Sequence, residues 1–499
     1  LPKASIKISN NSKAQVNPRI YGSFVEHMGR CVYGGIFEPG SPYSNEDGFR
    51  TDVLDLAKEM GVTTVRYPGG NFVSGYLWED GVGPKEERPT RLDLAWRSVE
   101  TNQFGLNEFM KWVKLLGAEP IMAINLGTRG VLEAAQLMEY SNYPGGTAFS
   151  DMRKQHGVEN PHRIGVWCLG NELDGPWQIG HKSAEDYGKL AKETAKAMRL
   201  VDPDVKLVAC GSSFEEMPTF GDWEETVLDQ TFDEVENISM HAYYEKFDDD
   251  SLSFLASGAR MDRFIQGVIE RADKIASKRG SDKKINISFD EWNVWYQKKF
   301  PGVDKLEFVH APRIIEDDYT VEDAVVVGSL LMTLIKNSER VDIACQAQLA
   351  NVIGPIRTES DKPAWRQTSF FPFALSSKYG RGEVIDLEIE SRTENAELFE
   401  NLPMIDSVAT KDGEYLNVFL LNRELNDSTE LNIDLQGFNI EEFVEGFLVG
   451  GENLDVQNTA DNPDAYSPDS ISPSETVANG FSITLPKVSW SLLRFKLSD

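Results

Sequence analysis

The sequence predicts an α/β protein: a (β/α)8 TIM barrel followed by an antiparallel, jelly-roll-like β-sandwich. Three observations predict it. The 499 residues exceed the size at which one hydrophobic core stops growing, so at least two domains are expected, and a barrel of about 250 residues or more fits within the chain. Between Ile20 and Leu349, eight short apolar runs are separated mostly by stretches with helical periodicity. From about Ser377 the helical rhythm gives way to short alternating runs set off by Gly and Asn turns. The predicted division is a catalytic barrel over 17–376 and a sandwich over 377–499 that also takes in the N-terminal strand, 1–16.

Taken in order, residues 5–16 alternate weakly at Ile6, Ile8 and Val16 around Asn10-Asn11-Ser12, which predicts an edge hairpin able to lend the sandwich a strand. The barrel strands are predicted at 20–27, 62–71, 120–127, 164–172, 205–213, 237–244, 285–292 and 343–351, with helical periodicity at 52–60, 106–116, 186–200 and 263–278. Stretches 72–93, 128–161 and 296–318, rich in aromatic residues, Pro and Gly, read as long loops that shape a substrate site. The apolar run 324–335 is too short to span a bilayer and is interrupted by Gly328, Ser329 and Thr333, so it reads as a buried helix. In the C-terminal part, 416–421, 430–435, 482–486 and 489–495 read as strands, and 455–475, rich in Asp, Asn, Ser and Pro, as an exposed loop.

Composition narrows the function. With 40% hydrophobic and 26% charged residues the chain is an ordinary globular protein, but its net charge of −30 makes nucleic acid and anionic membranes poor partners. The four cysteines, Cys31, Cys168, Cys210 and Cys345, show no CxxC pairing, and three lie in apolar runs; neither a disulfide framework nor a zinc site is indicated. Asn237-Ile-Ser and Asn286-Ile-Ser match a glycosylation acceptor but open predicted buried strands. The start, Leu-Pro-Lys-Ala-Ser-Ile-Lys-Ile, has no apolar segment behind basic residues, and a reducing, cytoplasmic location is expected.

The stretch Ile164-Gly-Val-Trp-Cys-Leu is apolar on both alternating faces, as in a strand covered on both sides, and it delivers Asn171 and Glu172 to a rim before Gly175-Pro176 breaks the chain. Reading off the other strand ends gives Glu26 and His27, Asn71, Asn125, Ser212, His241 and Tyr243, Glu291, then Gln346 and Gln348. In a barrel these ends converge on one face, where the active site sits. Asn125 and Ser212 are expected to support neighbours. Glu172 and Glu291, on strands four and seven, face each other across the mouth with no Cys or His cluster to bind a metal. Two such carboxylates are the minimal equipment for cleaving a glycosidic bond, one protonating the leaving oxygen and the other attacking or activating water. The alternative is structural: the pair neutralises nearby arginines such as Arg66.

The surroundings favour a sugar. Trp78, Trp96, Trp177, Trp292 and Trp295 are predicted at the same face and offer apolar rings to sugar C–H faces, while Asn71, Asn171, Tyr243 and Gln348 both donate and accept hydrogen bonds. A phosphate site is not indicated: GxxxxGK[ST] is missing, and Gly69-Gly70 lacks a nucleotide-fold context.

Five segments, Tyr21-Gly-Ser-Phe-Val-Glu-His27, Arg66-Tyr-Pro-Gly-Gly-Asn-Phe72, Trp78-Glu-Asp-Gly-Val-Gly-Pro84, Trp167-Cys-Leu-Gly-Asn-Glu-Leu-Asp-Gly-Pro-Trp177 and Asp290-Glu-Trp-Asn-Val-Trp295, together resemble glycoside hydrolase family 51, the α-L-arabinofuranosidases. The resemblance covers the whole barrel. It implies a retaining double displacement on terminal α-L-arabinofuranosyl residues of arabino-oligosaccharides, with Glu291 as nucleophile and Glu172 as acid, then base. It also implies that Glu26, Asn71, Asn171, Tyr243 and Gln348 hold the sugar hydroxyls, Asn171 on the 2-hydroxyl, that His241 supports Glu291 or its neighbours, and that Trp96 and Trp295 wall the pocket. No metal or organic cofactor and a homo-hexamer are implied as well. Rival readings are another barrel glycosidase with the same carboxylates, such as an endo-glucanase, β-xylosidase or endo-xylanase, and a catalytically silent carbohydrate-binding protein.

Overall fold

Eight parallel strands, Gly22–Phe24, Thr64–Tyr67, Glu119–Ala123, Val166–Leu169, Lys206–Ala209, Asn237–Tyr244, Asn286–Val294 and Val341–Ala347, close into a barrel in the computed structural model, which describes residues 1–498. Val166–Leu169 is buried at every position, as expected of a strand with packed side chains inside the barrel and helices outside. The helices that follow the eight strands are Thr51–Met60, Leu106–Leu116, Val131–Asn142, Ala184–Val201, Asp222–Thr231, Ser257–Lys278, Val321–Lys336 and Phe370–Tyr379. Local chemistry sets their limits. Ser183 and Thr320 accept the amides of Asp186 and Asp323 as N-caps, and Gly61 and Gly117, at φ 75° and 78°, take the left-handed turn that closes a helix.

The C-terminal part is a ten-stranded, mostly antiparallel sheet folded over its own core of Ile6, Leu416, Leu431 and Leu493, among others. Strands Gly480–Leu485 and Ser489–Leu497 are consecutive in the chain but far apart in the sheet order, yet Phe481 and Phe495 meet at 4.4 Å between ring centroids. That contact crosses the two layers of the sandwich. The helix Val321–Lys336 joins sandwich to barrel. It is buried on every side up to Ile335, and a Cβ at Gly328 would lie 2.6 Å from the Trp490 ring. An all-round apolar helix of this kind lies between two protein layers.

Three expectations are corrected. Residues 5–16 do not form an edge hairpin. Lys3–Gln15 is one long strand inside the sheet, antiparallel to Glu383–Glu390 and parallel to Thr429–Leu435. The Asn10-Asn11-Ser12 signal produces a register shift between Ile8 and Ser12, because Glu383–Glu390 pairs with the chain on either side of it and holds it extended where an isolated segment would turn. Stretch 128–161 is not a substrate loop: it folds into Val131–Asn142 and Ala148–Gln155, the first begun by the Glu133 carboxylate accepting the Gly130 amide, and none of it lines the main cavity. Stretch 455–475 is not wholly exposed. The carbonyls of Leu454 and Val456 accept the free first-turn amides of Glu322 and Val321, and Asn458 is buried against the carbonyls of Arg366 and Tyr466. Among the described residues, the four cysteines are buried and unpaired, and no helix is long and apolar enough to cross a membrane.

Candidate active site

A cavity of about 650 Å³ opens at the C-terminal ends of the barrel strands. Glu26, Asn71, Trp96, Glu172, Tyr243, Glu291, Trp295 and Gln348 line it, while Asn171 and His241 lie beneath, 1% and 3% exposed. Backbone turns bring these groups inward. Gly170, at φ 91°, ends the fourth strand's regular course, and Glu172 itself sits in the left-handed region at φ 45°, uncommon for a residue with a side chain. Gly70 lets the chain pass close beneath the carboxylates: a Cβ there would lie 2.7 Å from Glu26 Oε1 and 3.1 Å from Glu291 Oε1.

The Glu291 carboxylate is gripped from both sides. The Arg66 guanidinium donates to Oε1 at 2.9 Å and the Tyr243 hydroxyl to Oε2 at 2.9 Å. Arg66 also donates to Asn171 Oδ1 at 2.7 Å, so one buried cation orients both a carboxylate and the amide next to Glu172. Asn171 in turn donates to Asn71 Oδ1 at 3.2 Å. Burial works against the charge on Arg66, but Asp290 and Glu291 outweigh it and hold the guanidinium firmly protonated. Burial and the charge on Glu291 push the Tyr243 phenol well up, which keeps it a donor. Arg66 therefore pairs with Glu291, as the structural alternative required, yet Glu291 still faces the cavity.

Glu172 is held differently. His241 Nδ1 lies 2.7 Å from Glu172 Oε2, and His241 Nε2 lies 2.7 Å from Asp290 Oδ1. The indole N–H of Trp177 donates to Glu172 Oε1 at 3.0 Å. Burial disfavours an imidazolium, but Glu291, Asp290 and Glu172 outweigh it and lift His241 well above the usual imidazole range. Asp290, despite its burial, is held below the ordinary carboxylate range by Arg66 and His241. Glu172, His241 and Glu291 each bring one ligating atom within 4.8 Å of the others, a spacing a metal ion could use. Both ring nitrogens of His241 already face carboxylate oxygens, however, and the imidazolium supplies the positive charge there.

Glu26 closes the far end. Its Oε2 accepts the Phe72 amide at 3.0 Å and the Trp96 indole at 3.1 Å, and Trp96 rides on the hairpin Arg91–Asp93/Ser98–Glu100. Burial and the neighbouring Glu291 raise its carboxyl to about 8. Gln348 Nε2 reaches Glu26 Oε1 at only 3.4 Å, while Gln348 Oε1 is buried without a partner. Turning that amide over would pair its carbonyl with the Glu26 proton.

Several expected groups stand elsewhere. Trp292 is fully buried away from the cavity, and Trp78 packs on Tyr140, 5.1 Å between centroids; a position at a strand end or on a loop does not say which way a ring points. Gln346 donates to Asn293, also outside the cavity, whereas Asn125 has the supporting role expected of it, holding the loop after its strand through the Tyr76 carbonyl and the amides of Gly127 and Thr128. Ser212 gives its amide to Glu224. The sequence reading missed Asp290, the anchor of His241, although it directly precedes Glu291.

The family description "Alpha-L-arabinofuranosidase 1 domain" matches residues 56–254, and "Alpha-L-arabinofuranosidase C-terminal domain" matches 290–489. A Streptomyces lividans protein named intracellular exo-α-(1→5)-L-arabinofuranosidase is 52% identical over 96% of this chain and 73% of its own length. A protein of the same name from Acetivibrio thermocellus is 48% identical over 99% of both chains. The solved structure of a family 51 α-L-arabinofuranosidase from Bifidobacterium longum superimposes with a TM-score of 0.95 at 44% identity, covering 99% of this chain and 100% of that one. At such identity over nearly the whole length, the chain belongs to the α-L-arabinofuranosidases, family 51 of the glycoside hydrolases.

Proposed function

We propose that this glycoside hydrolase is an exo-acting α-L-arabinofuranosidase that removes terminal non-reducing arabinofuranosyl residues from arabino-oligosaccharides by retaining double displacement. The observation that carries the mechanism is the closeness of the two carboxylates: oxygens of Glu172 and Glu291 lie within 4.8 Å of each other. This nearest approach of single oxygens favours the separation of about 5–5.5 Å used for nucleophilic attack over the roughly 6.5–9.5 Å that makes room for an attacking water.

Glu291, held between the Arg66 and Tyr243 donors, attacks the anomeric carbon and displaces the aglycone oxygen. Glu172 gives that oxygen a proton. The proton shared by His241 and Glu172 supplies it: on Nδ1 the pair is imidazolium and carboxylate, on Oε2 it is imidazole and carboxylic acid, and the second form protonates the leaving group. Water then enters, Glu172 takes its proton, and the bond to Glu291 breaks with net retention. Glu26, Trp96 and Gln348 wall off the space beyond the reacting sugar, which supports attack at chain ends. Asn71, with Asn171 behind it, and Tyr243 would position the sugar hydroxyls, and Trp295, edge-on to Tyr243 at 5.2 Å, would form a side wall. The names of the two bacterial relatives support an exo action and an intracellular place; a cytoplasmic, homo-hexameric enzyme is the finer reading, checked by cell fractionation and light scattering.

The test is release of nitrophenol from the aryl α-L-arabinofuranoside beside the aryl β-D-xylopyranoside, with the first-formed anomer followed by NMR. Turnover of the furanoside with α-arabinofuranose released first supports the reading. Xylopyranoside turnover in its place selects the rival glycosidase, and a β-anomer as first product rejects the retaining mechanism.

A further inference from the structure

The cavity continues past Glu172 along a track of side chains that the cleavage of one sugar does not use. Because Glu172 protonates the departing oxygen, the leaving chain must lie on its side of the site, where Trp177 donates to Oε1. Trp177 stacks on Phe214 at 6.0 Å between centroids and 20° between planes. Two residues further on, Glu216 comes within 3.6 Å of Arg260, whose guanidinium lies over the Tyr244 ring at 5.4 Å. All five line the same cavity. The segment carrying Phe214 and Glu216 is fixed: the buried Asp174 carboxylate accepts the Ser213 amide at 2.9 Å and its hydroxyl at 2.5 Å.

Arg260 is the informative member. Its side chain is only 15% exposed, its Nε is buried without a partner, and 3.6 Å to Glu216 exceeds hydrogen-bond length. Among the described residues no hydrogen bond takes up any of its five N–H donors. The sealed Nε cannot reach a ligand, but the terminal amino groups face the cavity with no hydrogen-bond acceptor on the protein, and so are free to donate to the oxygens of a molecule bound there. An anionic ligand fits poorly, since Glu216 and Glu245 line the same stretch. A neutral sugar, with hydroxyls that accept from Arg260 and donate to Glu216, fits both charges. The volume agrees: about 650 Å³ suits a ligand of several rings rather than one pentose.

Resting on the arabinofuranosidase reading, we propose that Glu216 and Arg260, backed by Tyr244, form a distal aglycone subsite that binds the second sugar beyond the scissile bond, after the first has packed on Trp177 and Phe214. The enzyme then favours chains of three or more sugars. The experiment measures kcat/KM of wild type, Arg260→Met and Glu216→Gln on α-1,5-linked arabinotriose, on the corresponding arabinobiose and on the aryl arabinofuranoside. The expected result is a fall in the triose-to-biose ratio of about tenfold for Arg260→Met and about threefold for the more exposed Glu216→Gln. An unchanged ratio in both variants overturns the subsite, and so does a parallel loss on all three substrates, which marks a structural role. A wild type inactive on the aryl furanoside would strike the parent reading instead.

Discussion

The floor and the mouth of the cavity are built on opposite principles. At the floor Arg66, His241, Asp290 and Glu291 are each at most 6% exposed, and their charged atoms are tied to one another at 2.7–2.9 Å. At the mouth Trp177, Phe214 and Phe247 are 46%, 38% and 51% exposed and offer ring faces. Buried charges interact strongly and need little rearrangement when charge develops in a transition state; exposed rings lend area with little geometric demand. The floor is thus suited to chemistry on a single sugar and the mouth to choosing what is attached to it.

Substitutions at the floor should sharpen this contrast most. Glu291→Ala is expected to lower kcat/KM on the aryl arabinofuranoside by at least about 10⁴-fold, with azide restoring turnover and giving an arabinosyl azide of inverted configuration. A loss under tenfold would remove Glu291 as nucleophile. Glu172→Ala should cost about 10²–10⁴-fold on arabino-oligosaccharides but much less on aryl furanosides, whose leaving group needs no proton. Equal losses on both would mean that Glu172 is not the acid. Asp290→Asn should lower kcat by about 10²-fold with little change in KM, and the alkaline limb of the kcat profile should move to lower pH, because His241 loses one of the charges that hold its proton. An unmoved profile would break the link between Asp290 and Glu172.

Glu26, at the closed end of the cavity, adds a pH dependence of its own. Its folded-state value of about 8 lies above the ordinary 4.5, so the folded protein keeps this proton while the unfolded chain loses it, and the group's contribution to stability falls as pH rises between those values. Glu26→Gln, neutral throughout, should gain thermal stability relative to wild type across that window and lose the decline in kcat/KM near pH 8. A constant difference in Tm from pH 5 to 8 would contradict a protonated Glu26. The smallest effect belongs to the mouth: Trp177→Phe keeps a ring but removes the N–H to Glu172, and about two- to fivefold in kcat on oligosaccharides is expected. A loss as large as that of Glu172→Ala would erase the distinction between floor and mouth.

Legibility followed the range of the interactions. Glu172 and Glu291 stood out because an apolar strand ending in a carboxylate is a local pattern, and the helix 106–116 was readable to the residue because its spacing and closing Gly117 are local as well. Trp78 and Trp292 were placed at the site because a loop or strand end shows position along the chain but not direction in space. The helices within 128–161 were hidden by Pro144 and Gly145-Gly146, whose turn signal outweighed the helix formers before them. Arg260 had no pattern at all: it sits on the helix Ser257–Lys278 and becomes informative only when its donors are found without partners.

The sequence by itself determined the barrel, the sandwich and the inventory of polar groups at the strand ends, because hydrophobic period and strand count are properties of short stretches, and closing eight parallel strands sends their ends to one face. The tertiary structure alone decided which of those groups enter the cavity, how close Glu172 comes to Glu291, and how firmly Glu26, His241 and Asp290 hold a proton. Those outcomes rest on contacts such as Arg66 with Glu291, 225 residues apart, and on burial, and neither is a property of any one stretch of chain.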